Sequence, residues 1–184
     1  VPSRDQLVDA MIDRAYADFA LPDPALPWRP ALTSYARGYF TLLRTHPWLS
    51  AVNTWRMPLA PHVFDADEAG LRILVDTGLS ARQVVETIDI VRQTVSGFAR
   101  AAEAEASDED TQGTDYDAYW AAQNDFWENT FDRSRYPTIT RLWAAGAFDT
   151  GSTPFELRID ALLDTVEVLV EQSEGSGSAV APFD

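Results

Sequence analysis

The sequence predicts an all-α protein, and three observations support this prediction. Apolar residues recur at spacings of three and four along almost the whole chain, which is the period of an α-helix. Alternating apolar and polar residues bounded by turn residues, the pattern of a strand, are hard to find. Ser3-Arg4-Asp5-Gln6 and Ser80-Ala81-Arg82-Gln83 both have the form of a capping box, in which serine and glutamine side chains accompany a helix start.

Two helices separated by a proline-rich link are predicted at the start of the chain. The first begins at its capping box and covers residues 3–20, because Pro22 interrupts the helical spacing. The second runs from about residue 28 to His46, because Pro47 disfavours helical geometry in the residue before it. One face of this second helix carries Leu32, Tyr35, Tyr39 and Leu43.

Three more helices are predicted in the next part of the chain. A short helix opens at Pro47, a fourth helix covers residues 61–77 and stops at Gly78, and the longest helix covers residues 80–105. Residues 107–117 are polar, acidic and contain glycine, which predicts an exposed loop. The apolar residues of the longest helix are Val84, Val85, Ile88, Val91, Val95, Phe98 and Ala99.

The last part of the chain predicts an aromatic-rich helix over residues 116–132, a short helix over 137–145 and a final helix that starts after Pro154. Leu157 and Val168 widen the apolar stripe of the final helix beyond one core-facing side, which favours a second buried surface against another subunit. We expect residues 1–174 to form one domain and residues 175–184 a disordered tail.

Composition narrows the function classes. The chain has 184 residues, 46% of them hydrophobic, and a formal net charge of −15 from 14 basic and 29 acidic residues. A chain this acidic repels phosphate backbones, so we do not expect it to grip nucleic acid by itself. It has no cysteine, no apolar run long enough to span a membrane and no signal-like start, so we expect a cytoplasmic protein without a membrane partner.

The familiar catalytic motifs are absent from the sequence. It contains no Gly-x-Ser-x-Gly elbow, no phosphate-binding glycine loop and no His-Glu-x-x-His pair, and its only histidines are His46 and His62. Asp65, Asp67 and Glu68 cluster, but they lie near the start of a predicted helix, where we expect a solvated acidic face. We therefore predict no enzyme activity, no cofactor and no metal site.

Several segments, in this order, resemble the C-terminal regulatory domain of the TetR family of bacterial transcriptional repressors, in the subfamily of the tetracycline repressors. They are residues 1–11, 27–29 (Pro-Trp-Arg), 42–49 (Leu-Leu-Arg-Thr-His-Pro-Trp-Leu), 74–80 (Leu-Val-Asp-Thr-Gly-Leu-Ser), 97–98 (Gly-Phe) and 155–163 (Phe-Glu-Leu-Arg-Ile-Asp-Ala-Leu-Leu). The resemblance implies a multi-helix orthogonal bundle that dimerises through a four-helix bundle, made by residues 80–105 and 155–173 of both chains. The interface residues that follow are Val91, Val95, Phe98, Leu162, Val166 and Leu169.

The resemblance also implies a two-state repressor in which a ligand changes how a dimer binds its operator. The three helices of the helix-turn-helix domain are expected before Val1, so operator DNA would be a partner only through a domain missing from this chain.

In the family, the ligand lies between the helices that correspond to residues 3–20, 28–46, 61–77 and 80–105. The six tryptophans of this chain favour a large, flat, largely apolar or aromatic effector. Ala20 stands near the position where a tetracycline-binding histidine would be expected, so tetracycline itself is not predicted. The candidate wall residues are Tyr35, Tyr39, Trp55, Met57, Phe64, Ile88, Arg92 and Trp127.

Arg92 has two interpretations. Asp89 lies three residues before it, the spacing of an ion pair at solvent or at a subunit interface, and this is the interpretation we favour. Alternatively, its guanidinium anchors a carboxylate or carbonyl oxygen of the ligand.

Two other function classes remain open. One is a helical protein–protein interaction module without a small ligand, and the other, which is less favoured, is a small-molecule isomerase that uses acidic residues in a helical cavity.

Overall fold

The computed structural model describes residues 3–52, 58–112, 116–123, 125–148 and 155–176, and over these residues it is helical without a strand. The all-α prediction is therefore confirmed. The elements are α1 (Arg4–Tyr16), α2 (Trp28–Thr45), α3 (Pro61–Leu74), α4 (Ala81–Gln112), α5 (Tyr116–Ala121), α6 (Pro137–Ala144) and α7 (Phe155–Ser176), with a 3₁₀ turn at Pro47–Ala51 and a π-helical turn at Phe126–Thr130.

The chain divides into two compact units. The described residues up to 100 and those from 158 onward form the first unit, and the described residues between 101 and 157 form the second. The part of the expected disordered tail beyond residue 176 lies outside the described residues.

Two helices end earlier than their sequence patterns predict. α1 stops at Tyr16 rather than near residue 20, because the chain tightens into turns in which the Asp18 and Phe19 amides donate to carbonyls three residues back. α3 stops at Leu74, and Gly78 follows in a separate turn with φ of 81°, the left-handed conformation that glycine adopts without strain. α2 ends at Thr45, directly before His46 and the proline, as predicted.

The loop predicted over residues 107–117 is wrong for its first part. α4 continues to Gln112, because the segment before the acidic stretch is rich in alanine and glutamate, which favour helix propagation. The aromatic-rich helix predicted over residues 116–132 is instead divided into α5 and the π-helical turn.

The core of the first unit takes apolar side chains from α2, α4 and α7 and from the end of α3. Its fully buried large side chains are Tyr35, Leu32, Leu74, Leu79, Ile88, Ile159, Leu163, Val91 and Val95. Arg29, at the start of α2, holds α7 in place through two ion pairs, at 2.5 Å to Asp164 and 2.8 Å to Glu167. The bond to Asp164 raises the pKa of Arg29 above its ordinary value.

A carboxylate of α1 caps the start of α3. The His62 backbone amide donates to Asp13 Oδ1 at 2.8 Å, and the His62 ring Nδ1 lies 3.1 Å from the same oxygen. The backbone bond lowers the pKa of Asp13 below its ordinary value. Ala60, the residue before α3, has no side-chain oxygen to do this, so α1 supplies the negative charge that a helix N-terminus favours.

Part of the predicted dimer interface belongs to the core of the single chain. Val91 and Val95 are 0% exposed and Val166 is 3% exposed, so these three side chains have no surface left for a partner, and their assignment to an interface is wrong. Phe98, Leu162 and Leu169 stay partly exposed, and the Arg158 guanidinium lies over the Phe98 ring. Leu157 and Val168, which the sequence marked as surplus apolar residues, are largely exposed.

The second unit is organised around aromatic rings. The Trp127 ring centroid lies 4.8 Å from that of Trp143, 5.3 Å from that of Phe131 and 5.0 Å from that of Phe126. None of the helices in the described residues is long and apolar enough to cross a membrane.

Candidate functional site

A cavity of about 650 Å³ opens within the first unit, between α1, α2, the 3₁₀ turn, α3 and α4. This volume lies within the usual range of small-molecule sites, roughly 300–1,000 Å³. Its apolar lining residues are Ile12, Leu43, Leu49, Val52, Pro58 and Val63, and its polar ones are Tyr16, Tyr39, Ser50, Asp67, Asp89, Arg92, Gln93, Ser96 and Arg100. The polar residues that come from α4 follow one another at helical spacing, so one wall is polar while much of the rest is apolar.

Arg92 joins three helices at the base of this cavity. From α4, its Nε donates to the Tyr35 hydroxyl of α2 at 2.7 Å, and its Nη2 donates to Asp67 Oδ1 of α3. The side chains are mostly buried, with 22% of Arg92 and 12% of Asp67 exposed. A buried carboxylate is tolerated where a cation and hydrogen bonds compensate its lost hydration, and Arg92 provides both for Asp67.

The tyrosines around Arg92 are held in their neutral form. Burial is the main cause that raises the pKa of Tyr35 to about 12, although Arg92 opposes it. Burial also raises the pKa of Tyr16, and Tyr39 adds to the effect. The pKa of Arg92 itself is raised, because Tyr35 and Asp67 outweigh the opposing effect of burial. At neutral pH the hydroxyl groups of Tyr16 and Tyr35 are therefore uncharged and lie near the charged guanidinium of Arg92.

The Tyr35 ring is fixed from two sides. A Cβ atom added to Gly70 would lie only 3.0 Å from Tyr35 Cζ and 3.1 Å from its hydroxyl oxygen, so α3 approaches the ring closely there because residue 70 is glycine. On another side, the Phe19 ring packs edge to face at a centroid distance of 5.4 Å. Close packing of the ring orients the hydroxyl that receives the bond from Arg92.

The structure brings together only some of the predicted wall residues. Tyr39 and Arg92 line the cavity, and Tyr35 does not line it but accepts a hydrogen bond from Arg92. Ile88 is buried in the core and Phe64 is 46% exposed, and neither is among the described lining residues. The remaining candidates lie elsewhere: Trp127 belongs to the second unit, and Trp55 and Met57 are outside the described residues.

Two sequence interpretations of charged residues are wrong. Arg92 pairs with Asp67 rather than with Asp89, and Asp67 is buried rather than part of a solvated acidic face. The signal that identifies Asp67 is its register, since Val63, Asp67, Gly70 and Leu74 fall at spacings of four, three and four on the buried side of α3. The sequence analysis also did not identify Tyr16, at the end of α1, as a lining residue of the cavity. Its place in the cavity wall depends on how the helices cross.

The described residues contain no group of three or more His, Cys, Asp or Glu side chains that could hold a metal ion.

Comparison with known proteins gives a family match and related structures. A family model described as "Tetracyclin repressor-like, C-terminal domain" matches residues 21–170. Among solved structures, the TetR family protein ActR of Streptomyces coelicolor in complex with actinorhodin has a TM-score of 0.69 and 20% identity, covering 96% of this chain and 79% of that one. ActR without ligand gives 0.64 and 19%, and ActR with (S)-DNPA gives 0.65 and 17%, each covering 96% of this chain and 78% of the other. A search of curated proteins finds no match.

Proposed function

Because the chain belongs to the family of tetracyclin repressor-like C-terminal domains, we propose that it senses a small, largely apolar or aromatic effector for a transcriptional repressor. In this proposal the effector binds in the 650 Å³ cavity of the first unit, and its presence is relayed to a DNA-binding domain. The sequence places no DNA-binding domain within these residues, and the charge of −15 agrees with a part of the protein that does not itself contact DNA.

The cavity is the observation that carries this proposal. An apolar wall contributed by residues such as Leu43 and Val63 favours a hydrophobic ligand body, while Arg92 and Asp67 supply a few polar anchors. This combination is typical of sites for small organic molecules. The solved complexes of ActR with actinorhodin and with (S)-DNPA support the choice of a small-molecule ligand over a protein partner.

The contacts around the cavity also provide a route by which a ligand acts on distant parts of the protein. Arg92 connects α4 to α2 and α3, and the carboxylate of Asp13 connects α3 to α1. A ligand that moves α3 relative to α4 therefore also acts on α1. Such a ligand shifts the protein only if it binds one arrangement more tightly than the other, because equal affinity changes no population.

We further propose that the domain works as a homodimer. Leu162 and Leu169, on one side of α7, are partly exposed, and Leu157 and Val168, on another side, are largely exposed. These apolar side chains of α7 are left uncovered by the described residues of the same chain. An apolar surface of this kind is typical of an interface between subunits.

The first experiment is native mass spectrometry of the purified chain, compared with the denatured sample. A dimer that carries a small, noncovalent adduct supports both parts of the proposal and begins to identify the effector. A bare monomer contradicts the proposed interface.

A cavity-blocking variant tests the ligand site directly. Ser96→Trp places an indole in the cavity wall, whereas Ala81→Trp places the same group at an exposed position of the same helix. We expect Ser96→Trp to lose binding of aromatic ligands in calorimetry and Ala81→Trp to keep it. Equal binding by both variants would remove the cavity from the proposal.

One observation favours a second candidate, the protein–protein interaction module. The second unit exposes large apolar side chains, among them Tyr119, Phe126 and Phe148. If the chain acts through a partner protein alone, it should carry no adduct and bind no aromatic compound in either tryptophan variant.

A further inference from the structure

Arg92 retains donors that its protein partners do not use. A guanidinium carries five N–H groups, one at Nε and two each at Nη1 and Nη2. Nε donates to Tyr35 and Nη2 donates to Asp67, and within the described part of the chain Nη1 makes no hydrogen bond. The two N–H groups of Nη1 therefore remain for a ligand, since Arg92 lines the cavity.

Asp67 retains an acceptor beside these donors. Its Oδ1 accepts from Arg92, while among the described residues its second oxygen, Oδ2, has no hydrogen-bond partner. Asp67 also lines the cavity. Charged N–H donors and a carboxylate oxygen, on two residues that are hydrogen-bonded to each other, thus belong to the same cavity wall.

Arg92 and Asp67 together carry no net charge, and this decides which chemical group of a ligand they fit. A ligand carboxylate that approaches Arg92 also approaches the Asp67 carboxylate, and repulsion between like charges in a mostly buried site opposes the attraction. An uncharged edge with an acceptor next to a donor satisfies both residues without repulsion. Asp89 and Arg100 also line the cavity, but both residues are exposed and solvent screens their charges, so they do not decide the preference.

Resting on the proposed function, we propose that Arg92 and Asp67 recognise an uncharged effector that presents a hydrogen-bond acceptor beside a hydrogen-bond donor. A primary carboxamide, a lactam or an undissociated carboxylic acid has such an edge. The acceptor oxygen of the ligand accepts from Nη1 of Arg92, and its N–H or O–H donates to Asp67 Oδ2. The apolar walls around Leu43 and Val63 hold the hydrophobic body of the molecule.

Three probes with one aromatic body test this assignment. They are anthracene-2-carboxamide, methyl anthracene-2-carboxylate and anthracene-2-carboxylate, titrated by their own fluorescence at pH 8. The amide offers an acceptor and a donor, the ester offers acceptors alone, and the carboxylate adds a charge. We expect the amide to bind at least about tenfold more tightly than the carboxylate, with the ester between them, since an unmet charged hydrogen bond has a cost of that order.

A variant at Asp67 should reverse this order. Asp67→Asn can keep an oxygen toward Arg92 and present an N–H₂ group in place of the acceptor, and it leaves the site with a net positive charge. We expect Asp67→Asn to bind the carboxylate more tightly than the amide. Asp65→Asn, the same chemical change at an exposed position of α3 that does not line the cavity, should keep the order of the native protein.

A pH titration of the native protein needs no variant and covers the case in which Asp67→Asn does not fold. If the acid binds in its undissociated form, its affinity should fall about tenfold for each pH unit above the pKa of the probe, while that of the amide stays constant. An acid whose affinity is independent of pH overturns the proposal.

The possible outcomes distinguish a failure of the proposed ligand preference from a failure of the proposed function. Binding of all three probes with similar affinity, unchanged in Asp67→Asn, overturns the preference for an uncharged edge and leaves the cavity as an effector site. Failure of every probe to bind, in the native protein and in Ser96→Trp alike, counts against the proposed function itself.

Discussion

Replacement of Arg92 by methionine should destabilise the domain through the groups that it leaves behind. Methionine fills a similar apolar volume but donates no hydrogen bond. In Arg92→Met, the Asp67 carboxylate stays in a site where 12% of its side chain is exposed, without the cation that compensates its burial. The Tyr35 hydroxyl also loses the donor that lies 2.7 Å away.

The size of the effect follows from the burial of the pair. Breaking a fully buried ion pair costs about 3–5 kcal/mol, because one charge remains without its partner. Arg92 keeps 22% of its side chain exposed and both residues border the cavity, so water replaces part of the lost interaction. We therefore expect the free energy of unfolding to fall by about 2–3 kcal/mol, which corresponds to roughly 5–10 °C in Tm for a chain of this length.

Urea unfolding followed by circular dichroism at one fixed protein concentration measures this change. Arg82→Met is the matched control, because Arg82 lies on the same helix and pairs with Glu86, but its side chain is 87% exposed. We expect the control to change stability by less than about 0.5 kcal/mol. If Arg92→Met is no more destabilising than Arg82→Met, Arg92 does not connect the three helices energetically and the reasoning fails.

Three further changes test other parts of the structure. Gly70→Ala should lower the free energy of unfolding by about 1–2 kcal/mol, because the new Cβ meets the closely packed Tyr35 ring at 3.0 Å. Gly97→Ala should raise it by about 0.5–1 kcal/mol, because a Cβ there has no atom within 4 Å and alanine favours the helix. Thermal melts that show the same sign for both variants would contradict this. Asp13→Ala should destabilise the domain above pH 3.8, and the difference from the native protein should vanish as the pH falls below 3.8. The reason is that the pKa of Asp13 in the native protein lies below this ordinary value. A difference in stability that persists in urea titrations at acid pH would argue against the helix cap. Val168→Glu should give folded monomers in sedimentation, since the Val168 side chain is 49% exposed. Val166→Glu should unfold the chain, because the Val166 side chain is buried. A folded dimer of Val168→Glu would place the interface elsewhere.

The order of the helices followed from local signals in the sequence. The capping serine at residue 3, Pro47 and Gly78 act on the few residues beside them, so their positions predict where helices begin or end within a few residues. The extension of α4 to Gln112 was missed because helix propagation through alanine and glutamate outweighed the polar and acidic composition that had suggested a loop.

Tertiary structure decided which charged and aromatic residues meet. The spacing of Asp89 and Arg92 suggested an ion pair within one helix, but the crossing of α3 over α4 brings Asp67 to the guanidinium instead. Phe64 and Ile88 were also predicted from their apolar side chains to line a ligand site, but Phe64 lies at the surface and Ile88 lies in the core. Hydrophobic periodicity is a property of one helix at a time, so the sequence by itself determined an all-α chain with its helices in order. Which sides of those helices enclose a cavity depends on packing between residues far apart in sequence, and only the folded structure contains that information.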